Sequence, residues 1–304
     1  MRTFTIDIDG PINVADFGGS GRVLLLVHGL AGSHLNWLSV APKLAAHHRV
    51  FAFDFPGFGR SPLAGRRSSI PANVNVLKGV TAQVADGPVV LVGNSMGGLI
   101  SLGLAARHPG FVRALILVDP AVPTPGGPIT RLDRVSRTLI AAAFMPKWGA
   151  RRMSRALAAL GPESLVYDVL QLCSVDANRI EQAVIDEHIA LERERLNEAD
   201  WQDSFYAATR SLVRVLALKR QAFRWVRGVV APTLLVQGDK DRLVSVRSAR
   251  HVALLRPDWE YHEFAGVGHV PMLEVPGEFL EVTEEWLARH EGALDTEPAT
   301  AQAG

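Results

Sequence analysis

Cysteine is nearly absent: Cys173 is the only one in 304 residues. That excludes an internal disulfide framework and fits a reducing compartment. Excess charge is missing too. With 32 basic against 31 acidic residues the net charge is +1, so the chain carries no global electrostatic footprint for nucleic acid. No apolar run approaches membrane-spanning length. The N-terminus, MRTFTIDIDG, alternates like a strand and lacks the apolar centre of a signal peptide, so a cytoplasmic location is expected. His47-His48 has no third ligand nearby in sequence, and the Gly-rich turns complete neither a dinucleotide nor a P-loop pattern. No metal or organic cofactor is therefore expected. What is there is a chain 48% hydrophobic, long enough to bury one large core, or one core plus an insertion.

The pattern centres on Pro88 to Leu99, PVVLVGNSMGGL. Val89 to Val92 read as a fully buried strand, and Leu99 onward is compatible with a helix. Between them stands Ser95, with Gly93 and Gly97 two residues to either side. A serine at a tight strand-to-helix corner needs strained backbone angles, and a side chain at 93 or 97 would meet the neighbouring chain. Such a corner projects the Ser95 hydroxyl above the sheet as a nucleophile, with the Met96 amide pointing into the same space at a helix N-terminus. The bland alternative is a Gly-rich turn whose serine only caps a helix.

Around this unit the chain alternates between the two periods. Thr3 to Asp9 and Ile12 to Phe17 read as a hairpin turning at Gly10-Pro11. Strands are expected at 22–27, 49–55, 112–118, 233–237 and 259–264. Helices are expected at about 35–46, 72–86, 246–255 and 276–290. The apolar strands are continuous rather than alternating, which predicts a mostly parallel sheet covered on both faces. At Asp119-Pro120 the pattern breaks. Residues 121–228 show only helical periodicity punctuated by Pro123, Pro125, Pro146 and Pro162. We read 1–120 and 229–290 as one α/β core, 121–228 as a helical insertion, and 291–304 as a polar, frayed tail.

Two loops after later strands supply the partners a serine needs. The strand TLLVQ runs into Gly238-Asp239-Lys240-Asp241, and the last strand leads to Gly266-Val267-Gly268-His269. Loops at the C-terminal edge of a parallel sheet open on one side. Ser95, Asp241 and His269 can therefore converge: the histidine takes the serine's proton, and the acid fixes its tautomer. Asp119 and Asp239 are the competing acids. Asp239 is also suited to ordering its own turn. His28 precedes the serine and is read as shaping its loop through hydrogen bonds, with Leu30 donating a second oxyanion amide beside that of Met96.

His28-Gly29, DFPGFGRS (Asp54 to Ser61), GNSMGG, GDKDRLV and GHVPMLEVP together resemble the α/β-hydrolase superfamily over nearly all of the chain outside 121–228. The resemblance implies an α/β fold with an eight-stranded sheet, and a helical cap inserted after the sixth strand. It also favours Asp241, three residues past Gly238, as the acid. Serine at 95 argues against the aspartate-nucleophile dehalogenases and epoxide hydrolases. The carbon–carbon bond hydrolases of ring-cleavage products share the GNSMGG pattern. They typically have a Gly-Pro-rich oxyanion loop and an aromatic residue after the catalytic histidine, where this chain has HGLAGS and Val270. The expected activity is thus hydrolysis of carboxylic esters of small to medium hydrophobic substrates through an acyl-enzyme. A carbon–carbon hydrolase, a cofactor-free acyltransferase or perhydrolase, and a non-enzymatic receptor on the same fold stand as alternatives.

The insertion carries two further expectations. Leu132, Val135 and Leu139, with Leu212, Val215 and Leu216, lie at helical spacing and are expected to pack the insertion and roof the space over Ser95. Arg131, Arg134, Arg137, Lys147, Arg151, Arg152 and Arg155 face one acid, Asp133. That basic lip reads either as a solvated face or as a device steering anionic substrates or resting on acidic lipid.

Overall fold

The computed structural model describes residues 1–124, 160–195 and 201–294. Its centre is an eight-stranded sheet: β1 (Arg2–Asp7), β2 (Pro11–Gly18), β3 (Val23–Val27), β4 (Arg49–Phe53), β5 (Val89–Asn94), β6 (Val112–Val118), β7 (Thr233–Gly238) and β8 (Glu260–Phe264). The spatial order is β1-β2-β4-β3-β5-β6-β7-β8. β2 runs antiparallel to β1 and β4, and every other pairing is parallel. The expected mixed, mostly parallel sheet is what forms.

The continuous apolar strands are explained by two covered faces. Leu25, Val27, Leu91, Leu115, Leu117 and Leu235 point into one apolar cluster. Their neighbours Leu24, Leu26, Val90, Val92, Ile116, Leu234 and Val236 point into another. Side chains alternate across a strand, so both sets of positions are apolar and neither face is left to water. The first cluster is closed by α2 (Ile70–Val84) and α3 (Met96–Arg107), the second by α1 (Ala41–Leu44) and by the last long helix, Pro276–Arg289.

Two elements depart from the sequence reading. In place of one helix over 35–46 there is a 3-10 turn, His34–Trp37, and then the single turn of α1. Pro42 lies in that first turn, where its missing N–H costs nothing; inside a longer helix it would remove a hydrogen bond and clash with the preceding turn. The last helix is also preceded by a short one, α9 (Pro271–Glu274), before α10 (Pro276–Arg289), and a further turn, α11, covers Glu291–Leu294. Residues 295–304 lie outside the described residues.

Among the described residues, β6 and β7 are separated by helices alone: α4 (Gly161–Cys173), α5 (Gln182–Arg195), α6 (Trp201–Leu218) and α7 (Arg220–Gly228). α8 (Val246–Leu255) follows β7. Leu170, Val184, Ile185 and Ile189 of α4 and α5 join the second cluster, beside Val267 and Val270. Ala208 and Val215 of α6 join the first, and Leu212 packs against it, whereas Leu216 is half-buried. Trp225 and Val226 of α7 are buried in the first cluster, and the Trp225 ring lies against α3 at Gly103. The end of the 121–228 stretch thus belongs to the helical layer of the core. The basic segment Arg131 to Arg155, with Leu132, Val135 and Leu139, lies outside the described residues.

One packing constraint gives a direct test. A Cβ built on Gly97 would sit 2.4 Å from the Val27 carbonyl oxygen and 2.5 Å from that of His28. Both are backbone atoms of the sheet and cannot swing away. We expect Gly97→Ala to cost about 1–3 kcal/mol in urea unfolding. Gly277→Ala, whose Cβ meets nothing within 4 Å, should change stability by no more than about 0.5 kcal/mol.

Candidate active site

The corner at Ser95 is built as the spacing requires. β5 ends at Asn94 and α3 begins at Met96, leaving Ser95 at φ 54° and ψ −118°. A non-glycine residue at positive φ costs on the order of 1–3 kcal/mol and persists only where its surroundings over-determine it. Here they do. Ser95 N–H donates to the Val118 carbonyl (2.9 Å), and the Ser95 carbonyl accepts from Ala121 (2.9 Å) and Leu99 (3.1 Å). A Cβ at Gly93 would meet Ser101 Oγ at 2.8 Å and the Gly97 carbonyl at 2.9 Å. The HGLAGS loop leans on the same corner, since a Cβ at Gly29 would lie 3.1 Å from Ser95 Cβ.

That loop is held by buried polar groups. His28 Nδ1 lies 2.7 Å from the Gly29 carbonyl and Nε2 lies 3.0 Å from the Phe55 N–H. A carbonyl only accepts and an amide only donates, so Nδ1 carries the proton and the ring is neutral. Burial pushes the His28 pKa down to about 4, against a smaller opposing pull from Asp54. Asp54 is the second anchor. It accepts from His34 N–H (2.6 Å), His34 Nδ1 (3.0 Å), Asn13 Nδ2 (2.9 Å) and Arg60 N–H (2.9 Å). Burial works against its charge, but the His34 hydrogen bond and charge outweigh it and hold the carboxyl below its ordinary range. The DFPGFGRS and HGLAGSH segments are tied together at this carboxylate.

On the other side of Ser95, the loop after β8 brings in His269. Its Nδ1 lies 2.6 Å from Asp241 Oδ2, with both side chains almost wholly buried. The other oxygen of Asp241 accepts the N–H groups of Leu243 (2.7 Å) and Val244 (2.9 Å). Burial opposes the Asp241 charge, but His269 and these amides outweigh it and hold the carboxyl below its ordinary range. Asn94 Nδ2 donates to the His269 carbonyl (3.1 Å), which ties the histidine loop to the residue before Ser95. Of the sequence-predicted residues, Asp241 and His269 are in direct contact, and the histidine loop is bonded to Asn94, the residue before Ser95. Met96 follows Ser95 at the start of α3, and Leu30 follows Gly29, which lies against Ser95.

The competing acids take different places. Asp239 accepts the Gly266 N–H (2.6 Å) and pairs with Lys240 (2.9 Å), so it orders the turn. Asp119 is fully buried, at φ 46°, and does not bond His269. Its Oδ1 accepts from Gln237 Nε2 (2.7 Å) and the Gly238 N–H (2.9 Å). Burial first, and then the charge of Asp241, push its carboxyl well above the usual range. Asp119, Asp241 and His269 hold ligand-capable atoms within 4.8 Å of one another. The spacing would suit a metal, but His269 Nδ1 and Asp241 Oδ2 already satisfy each other.

Three contributors escape the sequence reading. Gln237 Nε2 also reaches Asp241 Oδ2 (3.0 Å), so one amide bridges two carboxyls. Its signal was a polar side chain at the end of an otherwise apolar strand. Glu274, buried, accepts the N–H of Gly268 (2.8 Å), the N–H of Val175 (3.1 Å) and Arg179 Nη1 (3.2 Å). It joins the histidine loop to the segment after α4, and the His269 N–H itself donates to the Cys173 carbonyl (2.6 Å). No local pattern announces that link. The Cys173 thiol, pushed up to about 12 by burial and then by the Asp241 charge, stays protonated. Arg60, the third, pairs with Glu194 of α5 (3.0 Å).

Residues 22–276 match the profile of the α/β hydrolase fold. The chain belongs to the α/β-hydrolase family. Two curated relatives indicate the range. This hydrolase is 29% identical over 276 residues, 89% of its length and 86% of the relative's, to a 2-hydroxy-6-oxo-6-(2'-aminophenyl)hexa-2,4-dienoic acid hydrolase of Metapseudomonas resinovorans. It is 40% identical over 116 residues, 38% of its length and 44% of the relative's, to the lipase LipV of Mycobacterium tuberculosis. In fold it resembles a thermophilic esterase from Thermogutta terrifontis, with a TM-score of 0.70 at 22% identity, covering 95% of this chain and 99% of that one. Among the described residues no helix is long and apolar enough to cross a membrane.

The buried neutral His28 sets a pH dependence. Its folded pKa, about 4, lies below the unfolded value near 6.5. Between these values the unfolded chain binds a proton that the folded one does not, so stability falls as pH drops from about 6.5 towards about 4. Urea unfolding across that window should show the loss, and His28→Gln, which removes the titrating ring, should flatten part of it.

Proposed function

We propose that this α/β hydrolase cleaves carboxylic esters of small to medium hydrophobic acids by a Ser95–His269–Asp241 triad. The observation carrying this reading is the buried Asp241–His269 pair at 2.6 Å, on the sheet edge where Ser95 is held at a strained corner. Asp241 accepts from Nδ1, which leaves Nε2 as the basic nitrogen to take the Ser95 hydroxyl proton. The serine oxygen then attacks the ester carbonyl. The backbone amides of Leu30 and Met96 receive the developing oxyanion, the second at the N-terminus of α3. His269 returns the proton to the leaving alcohol, and water releases the acid from the acyl-enzyme by the same steps.

The helices between β6 and β7 serve in this reading as a cap. Val215 of α6 packs in the cluster that holds Met96, Ala121 and Val122, with Leu30 against it. An apolar roof of that kind favours acyl chains whose methylenes are buried, each contributing up to about 0.8 kcal/mol.

A second reading is favoured by one observation, the relative named as a dienoic acid hydrolase that aligns over most of both chains. Carbon–carbon cleavage would use the same triad. Against it, Val270 follows His269 and is buried in the core rather than offering an aromatic face, and the loop beside Ser95 is HGLAGS.

Ser95→Ala and His269→Ala should each lower kcat by about 10⁴- to 10⁶-fold without unfolding the protein, and Asp241→Asn by about 10⁴-fold. Retention of more than a few per cent of the rate by the serine variant would overturn the mechanism. On p-nitrophenyl esters, kcat/KM should rise from acetyl to about hexanoyl or octanoyl and then fall, following the added methylenes until the pocket is outgrown. An optimum at acetate would refute the apolar roof, and fast cleavage of a ring-cleavage dienoate would hand the assignment to the second reading.

A further inference from the structure

Asp119 has chemistry that the triad does not use. It follows β6 directly and is wholly buried. It is held in the left-handed region at φ 46°, with its own N–H donating to the Val236 carbonyl (2.9 Å). Its two oxygens are not equivalent. Oδ1 accepts two hydrogen bonds, from Gln237 Nε2 and the Gly238 N–H. Oδ2 is sealed from solvent and has no donor pointing at it. A buried carboxylate oxygen with no donor costs the full desolvation of a charged acceptor. The Asp119 and Asp241 carboxyls hold oxygens within 4.8 Å of one another and share the Gln237 amide, and two ionised acceptors cannot bond each other. A proton between them makes Oδ2 a donor and removes both costs at once.

The charge balance around the site leads to the same arrangement. The groups beside Asp119 are Asp241 and His269, with atoms within 4.8 Å of it, and the amide of Gln237 from β7. Glu274 lies behind the histidine loop, holding the Gly268 N–H. Arg179 is ion-paired with Glu274 (3.2 Å). Three ionised carboxyls would place three negative charges in a buried space against one arginine. With Asp119 neutral, Arg179 balances Glu274, and the imidazolium formed during turnover balances Asp241.

We propose that Asp119 is a positioning residue that holds a proton on Oδ2 and donates it to Asp241, so that His269 faces one negative charge rather than two. The hydrogen bond, with the Gln237 amide and the two backbone amides, fixes the Asp241 carboxylate in the plane that receives His269 Nδ1. It also tempers the basicity of Asp241, so the Nδ1 proton stays on the ring. No bond other than this hydrogen bond forms, and the proton remains on Asp119 throughout turnover. The proposal rests on the triad reading above.

Two substitutions and one spectrum test it. Asparagine can reproduce the protonated acid, its oxygen accepting from Gln237 and Gly238 and its Nδ2 donating to Asp241. Alanine cannot. We expect Asp119→Ala to lower kcat by about 10- to 100-fold, the worth of a hydrogen bond to a charged group, with KM changed less than about twofold. Asp119→Asn should restore most of that loss. The acidic limb of kcat/KM, which reports the histidine, should lie within about 0.3 pH unit of wild type in Asp119→Asn. If Asp119 were ionised, replacing it by a neutral amide would remove a negative charge beside His269 and move that limb down by about one unit or more; such a shift overturns the proposal. Unchanged kcat in a folded Asp119→Ala would overturn it equally. Should the alanine variant fail to fold, the infrared difference between wild type and Asp119→Asn at pH 7 decides without activity. The carbonyl stretch of a buried protonated carboxyl is expected, and its absence refutes the assignment. That band is independent of turnover, so a failed triad, read from Ser95→Ala, is distinguishable from a misplaced proton.

Discussion

The strained backbone at Ser95 is the constraint on which the rest of the molecule depends. At φ 54° and ψ −118° the corner would relax if its neighbours allowed it, so the fold is arranged to prevent that. Parallel β6 receives its N–H, and the chain leaving β6 donates to its carbonyl. Gly97 lets α3 lie directly against the Val27 and His28 carbonyls, and Gly98 lets it lie against the Gly93 carbonyl and Pro120. Each approach is closer than any side chain permits. The strain is thus stored where β3, β5, β6 and α3 meet, and the hydroxyl it projects stands at the one edge where all the parallel strands end.

Buried carboxylates organise the loops above that edge. Asp54, Asp241 and Glu274 each lie in the interior, where an unpaired charge is costly. Each is surrounded by N–H donors from two or more separate segments: 13, 34 and 60 for Asp54, 237, 243, 244 and 269 for Asp241, and 175, 179 and 268 for Glu274. A carboxylate with several fixed donors acts as a rigid joint. Asp54 joins the 28–34 and 54–61 loops, and Asp241 fixes the histidine. Glu274 ties the histidine loop to the stretch following α4, and the His269 N–H donates to the Cys173 carbonyl, so the helices between β6 and β7 are coupled to the His269 loop.

That coupling bears on specificity. The His269 N–H and the Gly268 N–H are both satisfied from outside the sheet's own loops or by Glu274. A Cβ at Gly268 would lie 2.5 Å from the Cys173 carbonyl. A shift of α4 would therefore be felt at the imidazole. In a family whose relatives include both a dienoic acid hydrolase and a lipase, the segment between β6 and β7 is thus joined to the loop that carries His269.

Local pattern by itself determined the sheet, the corner and the loop position of the histidine. Short uninterrupted apolar runs bounded by turn residues read as strands buried on both faces, glycines bracketing a serine are demanded by sterics within a few residues, and a glycine-bracketed histidine after the last strand has a loop position that topology dictates. The helix read over 35–46 broke because Pro42 limits what can precede it, a local cue outweighed by apolar periodicity. Tertiary structure alone decided which acid meets His269. Asp119, Asp239 and Asp241 all follow strand ends, and their roles separate only through contacts between distant segments: Asp241 with His269, Asp239 with Gly266, and Asp119 with Gln237. The same holds for Glu274 and Arg60, whose partners come from the helices between β6 and β7. Burial and charge pairing are properties of the assembled interior, and no spacing along the chain encodes how many donors will surround a carboxylate once the segments have packed.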